Sequence, residues 1–304
     1  MRIVVIGQAA FGEKVVQTLS QKGEDIVAVY TAPDIPGKVG SFKELATQLG
    51  IPCFQPKRMR DPEVFAEYTK LKPDLNVMAY VTDILPESIL KYPKLGSIQY
   101  HPSLLPKHRG GSSINWAIIN GETKTGITVF WPDKGIDTGP ILLQKEVEIS
   151  PDDTVGSLYF NKLFNLGIDA LVESVELIKK GKAPRIPQDE SQATYEGWCT
   201  EENSVIDWHQ PATKVYNLIR GTNPQPGAIT CFQGKRFKVF DSELLADRKG
   251  LPSGEIIDVN QTGFTVATTG GAILIKRAQL DGCPKIAGFT LTEQLNLKVR
   301  DKLG

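Results

Sequence analysis

Over the first 150 residues, short apolar β-rich runs alternate with stretches of helical periodicity, and this pattern narrows the fold more than any other feature. Residues 2–6 read as a buried strand ending at Gly7, and Phe11, Val15, Val16 and Leu19 then recur at helical spacing. A second strand over 26–31 closes on Ala32-Pro33-Asp34, a helix follows over 42–49, and 75–80 is a further apolar strand. A helix over 86–91 leads into a strand over 97–100. Strands alternating with helices across short turns build a mostly parallel sheet with helices on both faces, so the fold class expected is α/β and Rossmann-like. Residues 126–132 and 141–149 read as a hairpin across the 133–139 loop. From Asp152-Asp153-Thr154 one long amphipathic helix is expected to run to about Lys180, with Leu158, Leu163, Leu166, Ile168, Leu171, Val175 and Ile178 as its apolar stripe.

Pro184, Pro187 and the polar run 188–193 look like a linker, and beyond Ser204 the pattern changes. A short helix over 212–219 precedes β-type segments at 227–232, 236–242, 254–259, 263–267 and 272–280, separated by Gly- and Asn-containing turns. Strands at that density predict a small antiparallel barrel (OB-like) or sandwich. A chain of 304 residues has length enough for two domains. The expected division is an α/β domain with its linker over 1–203 and a small β-rich domain over 204–304.

Charge excludes more than it suggests. Lys+Arg and Asp+Glu each total 35, and from Ser204 onward 13 basic residues stand against 9 acidic, far below the surplus of a dedicated nucleic-acid surface. No apolar run approaches the roughly 18 residues of a membrane span, and the apolar start is too short for a signal peptide. Cys53, Cys199, Cys231 and Cys283 are widely spaced with no C-x-x-C pair. That spacing suggests neither a zinc site nor a redox motif, and a cytoplasmic setting is expected.

The opening turn, Gly7-Gln8-Ala9-Ala10-Phe11-Gly12, lacks the second glycine of a dinucleotide fingerprint, so a tight turn into a packed helix is the simpler reading. His101 follows its strand directly, at the carboxyl end where open α/β sheets place ligands, although a strand-end histidine can also be a satisfied structural residue. Gly135-Ile136-Asp137-Thr138-Gly139 frames one carboxylate with two glycines, which an ordinary surface turn also does. Taken together, the two elements can converge on one cleft as a general acid with its orienting carboxylate. Ser103 is not in a G-x-S-x-G elbow, and His108 and His209 lack metal-ligand spacing, so no metal is expected.

At these residues a family resemblance emerges. His101-Pro-Ser-Leu-Leu-Pro-Lys-His-Arg-Gly110, with Asp137 in G-x-D-T-G thirty-six residues after the histidine, resembles the 10-formyltetrahydrofolate-dependent formyltransferase superfamily. Ser113-Ile-Asn-Trp116, Phe130-Trp131, Asp137-Thr-Gly-Pro-Ile-Leu-Leu-Gln144, Ala193-Thr-Tyr-Glu-Gly197 and Asn217-x-Ile-Arg-Gly221 extend the likeness over nearly the whole chain. They are most similar to the branch formed by the hydrolase domain of 10-formyltetrahydrofolate dehydrogenase, and also similar to the methionyl-tRNA formyltransferases.

The resemblance implies that the 1–203 domain is the catalytic one and that 10-formyltetrahydrofolate is formyl donor or substrate. It implies that His101, protonated, donates to the oxyanion formed when water or an amine attacks the formyl carbon, while Asp137 supports the imidazole and relays a proton. It also implies folate contacts from Asp83, Ile84 and Leu85 and from Ser103, Leu104, Leu105 and Pro106; without it, Ile84 and Leu85 read equally well as core packing. Where the transferases have Asn and the hydrolase domain an aliphatic residue two positions before the histidine, this chain has Gln99, whose amide can donate from one methylene further out. Gln99 is therefore a third catalytic candidate, and it leaves the acceptor open.

Hydrolysis to formate and tetrahydrofolate is the leading expectation, with transfer to methionyl-tRNA or a small amine such as an amino sugar as the alternative. A tRNA acceptor is disfavoured because residues 31–40 lead into the next helix without a long basic insertion. The sequence reads as an excised domain or a stand-alone relative, and association with an aldehyde dehydrogenase-type domain is one expected partnership.

Overall fold

The computed structural model describes residues 1–34, 40–246 and 250–304, which form two compact units. The first comprises Met1–Gly110, Gly126–Val147 and Asn161–Tyr195; the second comprises Gly111–Thr125, Glu148–Phe160 and Glu196–Gly304. The start of the segment following the second strand, residues 35–39, falls outside the described residues.

In chain order the first elements are β1 (Arg2–Gly7), α1 (Ala9–Gln21), β2 (Asp25–Tyr30), α2 (Ser41–Gln48), β3 (Cys53–Phe54), α3 (Pro62–Lys70), β4 (Leu75–Ala79), α4 (Glu87–Lys91) and β5 (Ser97–His101). After α5 (Ser113–Ile119) come β6 (Lys124–Phe130) and β7 (Ile141–Glu148). The strands make one seven-stranded sheet ordered β3-β2-β1-β4-β5-β6-β7, parallel from β3 to β5 and antiparallel where β6 meets β5. The expected Rossmann-like α/β architecture is present.

Alternation along the strands sends successive side chains to opposite faces. Val4, Ile6, Ala28, Tyr30 and Met78 pack in one core with Tyr68 of α3 and with Ile89 and Leu90 of α4. On the other face Tyr100 stacks on Phe11 of α1, with ring centroids 4.3 Å apart. Gly7 ends β1 for a steric reason, since a Cβ there would lie 2.4 Å from the Ala79 carbonyl oxygen of β4. The opening turn is thus a close backbone approach.

The long helix expected after residue 152 is interrupted: α6 (Val155–Leu158) passes through a π-helical turn at Tyr159–Leu163 into α7 (Phe164–Lys179). A π turn replaces the i to i+4 hydrogen bonds of the α-helix with i to i+5 bonds, and Leu163 at its end is fully buried. Thr154 and Ser157 form a reciprocal capping box at the start.

The second unit contains α5, α6 and α8 (Ala212–Gly221), then β8 (Ala228–Phe232), β9 (Lys235–Val239), β10 (Ser242–Leu245), β11 (Ile256–Asn260), β12 (Gly263–Thr268), β13 (Gly271–Ile275), β14 (Arg277–Leu280), β15 (Ile286–Ala287) and α9 (Gly288–Leu295). Two four-stranded antiparallel sheets result, β10-β13-β12-β11 and β15-β14-β9-β8. The stretches 236–242 and 272–280, expected as single strands, each divide between the two sheets. Around Asp241 and Lys276 the chain turns a corner, with the Lys276 N–H donating to the Asp241 carbonyl at 2.8 Å. Such corner crossings join two sheets around one interior, as in small barrels. Phe237, Phe264, Trp208, Ile219 and Leu291 share that single core.

Candidate active site

His101 is the last residue of β5, opposite Thr128 of β6, and is 6% exposed. Its Nε2 lies 2.8 Å from the His108 carbonyl oxygen. A carbonyl can only accept, so Nε2 carries a proton and Nδ1 is the nitrogen left to serve a ligand. Nδ1 faces Asp137 Oδ2 at 3.5 Å. That gap exceeds an ordinary hydrogen bond of about 2.7–3.2 Å.

Asp137 reaches this position on a constrained loop. Its backbone is left-handed (φ +56°), a conformation Asp adopts more readily than most residues but still at a cost. The Gly110 N–H donates to Oδ2 at 2.8 Å, leaving the other carboxylate oxygen free of that bond. The glycines framing the loop answer to close contacts. A Cβ at Gly139 would stand 1.8 Å from the Trp131 carbonyl oxygen, and one at Gly135 would stand 2.1 Å from Thr138 Oγ1.

The run after His101 folds into a compact loop braced by β6 and β7. Ser103 is fully buried and its hydroxyl donates to the Lys107 carbonyl at 2.6 Å. Thr128 Oγ1 donates to the Ser103 carbonyl (2.7 Å) and accepts from the Leu105 N–H (3.1 Å), while Gln144 Nε2 donates to the Leu105 carbonyl (2.7 Å). The Leu105 side chain is buried, and Leu104 and Pro106 are half-buried. Gln99 lies two residues before His101 on β5, hence on the same strand face; it is half-buried, and its side-chain amide bonds to no other described residue.

Asp83, Ile84 and Leu85 divide among different environments. Asp83 accepts from the Ile84 N–H at 2.9 Å, the Ile84 side chain is 78% exposed, and Leu85 is buried in the core under α3 and α4. Asp83 and Leu85 border a cavity of about 140 Å³ at the carboxyl ends of β1, β2 and β4, together with Gln8, Tyr30, Lys57 and Thr82. His101, Asp137 and the 103–106 loop stand outside that lining. The Tyr30 hydroxyl is buried without a hydrogen-bond partner among the described residues, and burial pushes its phenol up to about 12. The cavity sits between β1 and β4, where the chain reverses direction across the sheet, the place where open α/β sheets characteristically bind ligands.

The segment expected as a linker does more than connect. The Ile186 N–H and carbonyl pair with those of Ile141, Arg185 covers the Trp131 ring, and Gln188, Glu190 and Thr194 bond to residues next to His101 and Asp137. These polar groups serve as hydrogen-bond partners for two loops. Sequence reasoning missed Arg109, Gln188 and Glu190 as site-shaping residues. Their one signal was the clustering of amide and acid groups directly after Pro187.

Comparison with known proteins gives the family. Residues 1–175 match the model of the Formyl transferase family, and residues 199–295 match that of the Formyl transferase, C-terminal domain. The chain belongs to the formyltransferase family. This formyltransferase-family chain is 44% identical over 265 residues to cytosolic 10-formyltetrahydrofolate dehydrogenase of Homo sapiens, a match covering 85% of this chain and 29% of that protein. It is 38% identical over 310 residues to methionyl-tRNA formyltransferase of Geotalea daltonii, covering 100% of this chain and 98% of the relative. In fold it is similar to HypX from Aquifex aeolicus, solved with tetrahydrofolic acid (TM-score 0.71, 18% identity, 99% of this chain and 48% of that one). It is also similar to an N-formyltransferase from Helicobacter canadensis solved with folinic acid and dTDP-3-aminofucose (TM-score 0.69, 18% identity, 90% of this chain and 98% of that one). Among the described residues, no helix is long and apolar enough to cross a membrane, and no cluster of three or more His, Cys, Asp or Glu could hold a metal ion.

Proposed function

We propose that this chain removes the formyl group of 10-formyltetrahydrofolate by hydrolysis, releasing formate and tetrahydrofolate. The observation that carries the reading is the meeting of His101 Nδ1 and Asp137 Oδ2 at 3.5 Å beyond the carboxyl end of β5, in a chain 44% identical to a 10-formyltetrahydrofolate dehydrogenase. Nε2 is committed to the His108 carbonyl, so a protonated His101 presents its Nδ1–H to the formyl oxygen as water adds to the carbon. Asp137, held by the Gly110 N–H, orients the imidazole and takes the proton of the attacking water. The bond from carbon to the folate nitrogen then breaks, Asp137 passes its proton to that nitrogen, and the formic acid released gives up its remaining O–H proton to solvent as formate.

Gln99 is assigned a hydrogen bond to the same formyl group from its free amide. Asp83, Ile84, Leu85, Ser103, Leu104, Leu105 and Pro106 are proposed as folate contacts. Leu85 is assigned through its backbone, since its side chain is packed in the core. Residues 1–203 would carry the chemistry and 204–304 the accessory β domain, in a cytoplasmic protein able to associate with an aldehyde dehydrogenase-type domain.

Transfer to an amine is the second reading, favoured by the full-length match to a methionyl-tRNA formyltransferase and by the donor amide of Gln99. Formate release from 10-formyltetrahydrofolate without any amine separates the two. Release at a steady rate supports hydrolysis. Tetrahydrofolate appearing only with charged initiator tRNA or an amino sugar replaces it with transfer.

A further inference from the structure

Gln188 spans the two loops that meet at the site. Its Oε1 accepts from Arg109 Nε at 3.2 Å and from Nη2 at 2.8 Å, while its Nε2 donates to the carbonyls of Asp137 at 2.8 Å and Gly139 at 2.7 Å. A primary amide offers two donor hydrogens and two acceptor lone pairs, so every valence is used, and each end of the group holds a different loop. The guanidinium is itself fixed: Arg109 is 6% exposed, and its Nη1 and Nη2 pair with the two oxygens of Glu190 at 2.9 and 2.6 Å. The next residue along, Gly110, donates its N–H to Asp137 Oδ2. The 109–110 dipeptide thus grips Asp137 twice, directly at the carboxylate and through Gln188 at the backbone.

Such a grip has a purpose at this residue. Asp137 is left-handed, and a non-glycine residue keeps that conformation only where its surroundings over-determine it. Two carbonyls of one tight turn pointing at a single NH₂ group supply the determination. Among the described residues, no hydrogen bond joins the Gln188 or Arg109 side chain to His101, whereas Gln188 bonds directly to the Asp137 backbone.

We propose that Gln188, fixed by Arg109, is a positioning residue that sets the Asp137 loop so that Oδ2 faces His101 Nδ1. The assignment rests on the reading above, in which His101 and Asp137 perform the formyl chemistry. Because Gln188→Ala would strip a buried guanidinium of a partner and could unfold the protein, the informative variant is Gln188→Glu. A glutamate keeps, and charges, the acceptor facing Arg109, but has no hydrogens for the Asp137 and Gly139 carbonyls. A role confined to holding Arg109 predicts no loss from Gln188→Glu. The positioning role predicts a loss in kcat on the order of 10- to 100-fold with KM for the folate unchanged.

The test measures labelled formyl release, with the acceptor that supports wild-type turnover, in the wild type, Gln188→Glu, Asp137→Asn and the double variant. Because Gln188 acts through the carboxylate, adding Gln188→Glu to Asp137→Asn is expected to cost little more than Asp137→Asn alone. A wild-type kcat in Gln188→Glu, a loss confined to KM, or full multiplication of the two losses in the double variant would each overturn the positioning role while leaving the proposed function standing. A wild type that releases no formyl group to water, tRNA or amine would overturn both.

Discussion

Asp137 Oδ2 lies 3.5 Å from His101 Nδ1, with both side chains at most 9% exposed, although thirty-six residues separate them. The approach is built by the sheet. β5 delivers His101 to its carboxyl end, β6 pairs beside it at Thr128, and the chain beyond β6 turns back toward β7 through the loop that carries Asp137. Gly110 then fastens the carboxylate from the strand-5 side. The pair is a product of topology.

Removal of either member is expected to stop turnover. His101→Ala deletes the donor to the developing oxyanion, a change that typically costs about 100- to 1,000-fold in rate. Asp137→Asn leaves the shape of the loop while removing the charge facing Nδ1. Both variants are expected to retain folate binding, measured by fluorescence titration with tetrahydrofolate. Wild-type-like rates in either would remove that residue from the mechanism.

Much of this was legible in the sequence, and the limits have physical causes. The strands from 2 to 130 announced themselves because buried parallel strands are continuous apolar runs, and His101 and Asp137 because strand-end and Gly-framed positions are recognisable locally. The two-residue strand β3 and the helix α3 escaped notice: β3 is too short for a period, and α3 buries little beyond Tyr68. Leu85 reads as contact or core from the sequence, and it both packs in the core with α3 and α4 and borders the cavity. Along the 184–193 segment, the polar side chains find partners dozens of residues away, as Glu190 does in Arg109, and no local pattern encodes such pairing.

Gly139→Ala is expected to impair the site without touching a reacting group. The added methyl would fall 1.8 Å from the Trp131 carbonyl oxygen, a backbone atom that cannot swing aside. The loop must shift, and overpacking of this kind costs about 1–3 kcal/mol. Because Asp137 shares the loop, kcat should fall together with the urea midpoint. Unchanged values of both would mean that the loop yields more easily than its glycine contact implies.

Two buried tyrosines on the same side of the sheet should respond oppositely to loss of their hydroxyls. Tyr68 donates to Asn76 Oδ1 at 2.9 Å, and Asn76, fully buried, also donates to the Ile89 carbonyl at 3.1 Å. Tyr68→Phe leaves that oxygen short of a donor and is expected to cost about 1–3 kcal/mol. The Tyr30 hydroxyl has no such partner among the described residues, while its ring stacks on Phe54 with centroids 4.9 Å apart. Tyr30→Phe keeps the stack and sheds an unsatisfied group, so stability should hold or rise. Urea unfolding of both variants reads the contrast; equal losses would contradict it.

Acid stability of the second unit should depend on Glu201. Hydrogen bonds from Arg236 and from Lys238, the latter at 2.6 Å, hold its carboxyl down at about 2 against an ordinary value of 4.5. A carboxyl whose folded value is depressed stabilises the fold fully above its unfolded value, and that contribution fades as pH falls through the folded value. The difference in thermal midpoint between wild type and Glu201→Gln should therefore be constant from pH 7 to about 4.5 and shrink toward zero near pH 2. Since the pair is surface-exposed, the gap should also narrow in high salt. A gap that widens on acidification would reverse the sign and show that Glu201 acts by something other than its charge.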